Sequence, residues 1–102
     1  MASQQAHEII VVYFKDGIDY DEQLETMKQI GINSSKTEGY ISRQIFYAEP
    51  DKRWIDYFIW RDMAAADASI ENAKVIPGAD GLFAKIDQEK SVWSHYYKVA
   101  DA

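Results

Sequence analysis

The chain has 102 residues, 17 acidic against 11 basic and a net charge of −6. That is room for one domain and not two, spanning 1–102, with a core of its own. The absence of cysteine excludes disulfides, thiolate chemistry and cysteine-ligated metals. An acidic chain without a basic cluster is a poor match for phosphate backbones, so no nucleic-acid partner is expected.

The first residues, Met1 to Gln5, lack a basic region followed by an apolar run, so no signal peptide is expected. The longest apolar run, Ile9–Phe14, falls far short of the ~20 residues of a membrane helix. No membrane partner and a cytoplasmic location are therefore expected. His7–Phe14 is β-branched and aromatic and predicts a first strand. Ile9, Val11 and Tyr13 point one way, Ile10, Val12 and Phe14 the other, so both faces need cover.

Asp19 with Glu22 three residues later predicts a capped helix start. Tyr20, Leu24, Met27 and Gly31 form the stripe of an amphipathic helix that weakens after Gly31 and is stopped by Gly39. Tyr40–Ala48 and Arg53–Arg61 predict a hairpin around Pro50. In the second of these strands Ile55, Tyr57 and Ile59 share one face. Trp54, Asp56, Phe58 and Trp60 share the other. Asp62 caps a second helix, from Met63 to about Val75, with Ala66, Ile70 and Ala73 inward. Pro77-Gly78 ends it. Ala79, Leu82, Phe83 and Ile86 space a short third helix, and Ser91–Val99 is the last strand.

The order β-α-β-β-α-(α)-β predicts an α+β, ferredoxin-like βαββαβ domain with helices on one face of a four-stranded antiparallel sheet. The other face would be a large apolar surface, and a homodimer through that sheet face is the expected cover.

The segments Gly39-Tyr40-Ile41-Ser42-Arg43-Gln44-Ile45-Phe46-Tyr47 and Tyr57-Phe58-Ile59-Trp60-Arg61-Asp62 carry a wider pattern. A glycine leads the second strand, and a tryptophan closes the third before an Ala-rich helix. The arrangement resembles the dimeric α+β barrel superfamily, and within it the antibiotic biosynthesis monooxygenase-like (ABM) group, over nearly the whole chain. The resemblance implies one of several roles, since some members oxidise electron-rich aromatic polyketides without a cofactor and others bind and degrade haem. Members often carry a histidine on the helix after the tryptophan, where Ser69 stands here. Haem-degrading relatives use that histidine and an asparagine of the first strand, and neither is present.

The resemblance places Trp60 in a cavity between sheet and helices, where its indole would stack on substrate and donate a hydrogen bond. His95, within Trp93-Ser94-His95-Tyr96-Tyr97, has the chemistry of an acid or base, set against the plainer reading of a packed strand histidine. Arg43 in an apolar strand needs an anionic partner. Asp56 opposite is the candidate, and stabilisation of a phenolate or enolate is the alternative. Tyr47, Tyr57, Asn72 and Phe83 complete the candidate set as substrate contacts, with Asn72 offering an amide to a carbonyl or peroxide oxygen. His7 is expected to be solvated. A metal site built from His7 and His95 is not expected, because their strands are read as non-neighbours.

The fingerprints of dinucleotide and phosphate loops and of the nucleophile elbow are missing. Three functions follow as expectations. One is an oxygenase without metal, flavin or other cofactor, acting on a small electron-rich aromatic of the quinol or polyketide kind. The second is a non-catalytic dimer that holds a small apolar ligand or serves in stress. The third and weakest is haem binding through His95.

Overall fold

The computed structural model describes residues 4–102. Four strands and three helices follow in the expected order: β1 (Ala6–Tyr13), α1 (Tyr20–Ile30), β2 (Tyr40–Ala48), β3 (Arg53–Trp60), α2 (Met63–Ala73), α3 (Ala79–Phe83) and β4 (Val92–Tyr96). All four strands pair antiparallel in the order β2-β3-β1-β4, as the ferredoxin-like reading requires. No helix among the described residues is long and apolar enough to cross a membrane.

Both long helices start as the sequence dictates. The Asp19 carboxylate accepts from the Glu22 N–H at 2.9 Å, and Asp62 accepts from Ala65 N–H at 2.9 Å. Each satisfies one of the N–H groups that a helix start leaves unpaired.

Gly39 plays a different part from the expected helix stop. Helix α1 ends at Ile30, and a 3-10 turn over Ser34–Lys36 leads on to β2. Gly39 sits at φ +92 at the entry of β2, where a Cβ would lie 2.5 Å from that of Ala65. The glycine therefore serves a left-handed turn and the close approach of α2.

The register settles which residues share a face. Ala6, Glu8, Ile10 and Val12 of β1 stand beside Trp60, Phe58, Asp56 and Trp54 of β3. These point toward the helices, and Trp54, Asp56, Phe58 and Trp60 are all buried. They form two apolar clusters. One gathers Ala6, Phe58, Trp60, Ala65 and Ala66; the other gathers Val12, Met27, Ile30, Trp54 and Ile86. Ile9, Val11, Ile55, Tyr57 and Ile59 lie on the opposite face, with Phe46, Val92 and Tyr96 about half exposed there. The helices cover only one side of the sheet.

Two expectations about β1 change. Its inward face is not wholly apolar, because Glu8 occupies the middle of it and is buried. Strand β4 is its direct neighbour, so the strands bearing His7 and His95 do pair. The two histidines still do not meet. His95 lies opposite Glu8 and His7 opposite Tyr96, so one ring faces the helices and the other the open side. Nor is His7 simply solvated: it is half-buried, with Nδ1 2.6 Å from the Tyr57 hydroxyl.

Candidate functional site

Between the two apolar clusters lies a cavity of about 120 Å³. Its floor is the sheet, through Glu8, Ile10, Asp56, Phe58 and Trp93. Its roof comes from the end of α1 (Ile30, Gly31), the end of α2 (Ala73), Phe83 of α3, and the segment Ile86–Ser91. The Phe14–Ile86 bridge, with Lys15 N–H donating to Lys85 O and Asp87 N–H to Tyr13 O, holds that roof on the end of β1.

Two buried carboxylates border the cavity. The first is Asp56. The Arg43 guanidinium grips it with two parallel hydrogen bonds, Nε to Oδ1 and Nη2 to Oδ2, each 2.8 Å. Arg43 also donates to the carbonyls of Met27 and Lys28 and lies over the Phe58 ring, 5.1 Å from its centre. The planar fork thus ties the end of α1 to the sheet, which a lysine could not do. Gly31 makes this approach feasible, since a Cβ there would fall 2.2 Å from Arg43 Cζ. Burial pushes the Asp56 carboxyl up from its ordinary value, Arg43 works against that rise, and the nearby Glu8 charge adds to it.

The second carboxylate is Glu8. Its Oε1 accepts from Trp60 Nε1 at 3.0 Å. Its Oε2 accepts from Trp93 Nε1 and lies 3.3 Å from His95 Nε2. The other His95 nitrogen, Nδ1, is 3.2 Å from Oδ1 of Asp67, an exposed residue of α2. A chain of polar contacts thus runs from the cavity wall to the surface.

Of the residues expected at a site, Arg43, His95 and Phe83 gather at or just behind this cavity. Trp60 does not border it. That indole is fully buried under α2, against Phe58 and Ala65–Ala66, and reaches the cavity through its bond to Glu8. Tyr47 and Tyr57 do not converge: Tyr47 pairs with Trp54 on the helix side, packed on Tyr20, while Tyr57 lies on the open face. Asn72 is on the outer side of α2, where its amide donates to Thr37 Oγ1 at 2.7 Å. Adjacent side chains of a helix diverge by roughly 100°, so Ala73 faces the cavity and Asn72 cannot. Ser69 is buried, and its hydroxyl donates to the Ala66 carbonyl.

Glu8, Trp93 and Asp67 were not among the expected site residues. The signal for Glu8 was a lone acid in the strand His7-Glu8-Ile9-Ile10-Val11-Val12. Asp67 carries none, because a carboxylate on an exposed helix face is ordinary.

No family model matches the sequence, and no curated protein matches it. Solved structures do. A variant of SnoaB, a cofactor-independent oxygenase from Streptomyces nogalater, superposes with a TM-score of 0.75 at 11% identity, over 97% of each chain. A candidate antibiotic biosynthesis monooxygenase from Nitrosomonas europaea gives 0.69 at 13% identity, over 97% of this chain and 94% of that one. A conserved protein from Methanosarcina mazei gives 0.74 at 18% identity, over 94% of both. The chain shares the α+β fold of these structures. This chain therefore carries its cavity on a scaffold shared with those structures, with wall residues that must be read from its own geometry.

Haem does not fit this cavity. A space near 120 Å³ takes about one six-membered ring, going by an engineered cavity of roughly 150 Å³ that holds benzene. A porphyrin is several times larger. The one nearby imidazole, His95, also has both nitrogens engaged with carboxylates.

Proposed function

We propose that this protein is a cofactor-independent monooxygenase whose substrate is a small electron-rich aromatic, a phenol or hydroquinone of one ring. One observation carries the reading: a largely apolar, partly open cavity of single-ring size has a buried acceptor carboxylate, Glu8, in its wall. The likeness of fold to SnoaB supports the same class of chemistry.

Such a reaction needs three things from a protein. It needs a dry place, a base for the phenol proton, and a fixed orientation for the ring. Glu8 is the base. Ile10, Phe58, Phe83 and Trp93 give the ring its apolar walls. The deprotonated ring passes one electron to O2, and the two radicals join at a ring carbon to form a peroxide. Loss of the ring proton and cleavage of the O–O bond then release water. With 1,4-dihydroxybenzene, one ring and one O2 give one hydroxy-1,4-benzoquinone and one water. One oxygen atom stays on the ring, the other leaves in the water, and all four electrons come from the ring.

A binding module is the second reading. It is favoured by the polar groups of the wall being committed already: three donors surround Glu8, and Arg43 spends its guanidinium on Asp56 and two carbonyls. Oxygen uptake by the metal-free protein over a panel of single-ring phenols, hydroquinones and polyphenols separates the two. Uptake above the uncatalysed rate, lost in Glu8→Gln while the fold persists, is the expected result. Saturable ligand binding with no uptake across the panel assigns the protein to the module.

The same reading includes a homodimer. The open sheet face exposes Phe46, Val92 and Tyr96 beside Ile9, Val11 and Ile55, and a second copy of that face is its simplest cover. Sedimentation equilibrium should give twice the chain mass, and Ile55→Lys should return it to one.

A further inference from the structure

We propose that Asp67, His95 and Glu8 form a proton relay between the cavity and solvent, with Glu8 touching the substrate and the other two acting through it. The inference rests on the oxygenase reading above.

Each of the three groups is poor at this work alone. Glu8 is 1% exposed and cannot trade protons with water directly. Asp67 is at the surface and touches no part of the cavity wall. The His95 side chain, 12% exposed, spans them with its two ring nitrogens, 3.3 Å from one carboxylate and 3.2 Å from the other. A proton on either nitrogen therefore faces an acceptor. Imidazole is the side chain that can take a proton at one nitrogen while releasing one from the other.

The elements fix this geometry without help from a flexible loop. Glu8 and His95 are cross-strand partners of β1 and β4. Asp67 projects from the second turn of α2, whose buried Ala65 and Ala66 hold that helix on the sheet. The other groups facing Glu8 are the indole N–H groups of Trp60 and Trp93. The Glu8 charge also acts on Asp56, which is itself held by Arg43. Neither indole can carry a proton onward, since each is a donor only. The exit from Glu8 therefore runs through His95.

The proton balance gives the relay its task. The phenol proton goes to Glu8 and out through His95 to Asp67. A proton returns along the same path when hydroxide leaves the peroxide as water. Net exchange with solvent is zero, but the base is restored within each turnover.

The test is oxygen uptake with 1,4-dihydroxybenzene and its 2-methyl derivative as probes, for wild type, His95→Ala and Asp67→Asn. We expect kcat to fall ~100-fold in His95→Ala, on the scale of a lost acid–base group, with KM little changed. Added imidazole should restore at least ten-fold of it. Asp67→Asn changes an exposed residue and cannot unfold the chain. It should lower kcat several-fold with KM little changed, because it removes the acceptor of the proton that His95 passes on. Uptake by wild type with kcat unaltered in both variants overturns the relay alone. No uptake by wild type with either probe overturns the relay together with the reading it rests on.

Discussion

Replacing Arg43 by methionine should expose how much the polar band across the middle of the sheet costs the fold. The Arg43 and Asp56 side chains are 11% and 1% exposed, and two parallel bonds join them. Removing one partner of a buried pair leaves the other charge unpaired, typically at about 3–5 kcal/mol. Methionine keeps much of the apolar stem, so ~3 kcal/mol is expected near neutral pH. For a domain of this length that lowers the melting temperature by roughly 12–24 °C. The pH dependence is the sharper reading. Burial already raises the Asp56 carboxyl, and Arg43 is what holds it down. A carboxyl raised in the folded state contributes stability that is fully present below the ordinary carboxylate range and is lost as pH rises through the raised value. Arg43→Met removes the restraint, so the variant should recover stability as pH falls from 7 towards 5. Other carboxylates titrate there too, so the reference is Arg43→Met/Asp56→Asn, which lacks the group in question. Urea unfolding across that range should show the single variant converging on the double one at low pH. A cost under about 1 kcal/mol, with parallel pH curves for the two variants, would refute the reasoning.

Gly31→Ala should cost about 2–3 kcal/mol, although φ at Gly31 is −102 and suits any residue, because its Cβ would meet the Arg43 guanidinium. In a double-mutant cycle with Arg43→Met that cost should largely vanish in urea unfolding. Trp60→Phe leaves Glu8 Oε1 without its donor and should destabilise by ~2 kcal/mol, read from the urea midpoint. Phe83→Trp should fill the cavity and abolish oxygen uptake, while circular dichroism shows the melting temperature within a few degrees of wild type.

The architecture was legible because each element announces itself locally. Asp19 and Asp62 cap their helices as their positions indicate, and the alternation in β3 separates Trp54, Asp56, Phe58 and Trp60 from Ile55, Tyr57 and Ile59 without any knowledge of partners. The pairing of Arg43 with Asp56 was legible for the same reason, since both charges sit on apolar strands of one hairpin. Register was not legible, and the site depends on it. Whether Tyr47 and Tyr57 meet is decided by parity across β2 and β3. Whether Glu8 meets His95 is decided by a pairing of strands more than eighty residues apart in the chain. Asp67 could not be found at all from the sequence, because only the angle of α2 on the sheet brings it to the imidazole.

The inward face also shows how a domain this small carries buried charge. The apolar cluster around Trp60 holds α2 to one end of the sheet, and the cluster around Trp54 and Met27 holds α1 to the other. Glu8 and Asp56 lie between them, where the sheet floors the cavity. Filling that band with aliphatic residues would favour stability, since a well-packed apolar replacement of a buried ion pair is often neutral or better. The chain instead keeps two carboxylates there, each with partners for its oxygens and no buried polar side-chain atom unsatisfied among the described residues. The Arg43 pair can be explained by architecture, because it ties the end of α1 to the sheet. Glu8 ties no helix. Its partners Trp60, Trp93 and His95 all come from strands that flank its own and are already joined to it by backbone hydrogen bonds. A buried charge that adds no connection the sheet lacks, and that opens on a cavity, is best accounted for by what enters the cavity.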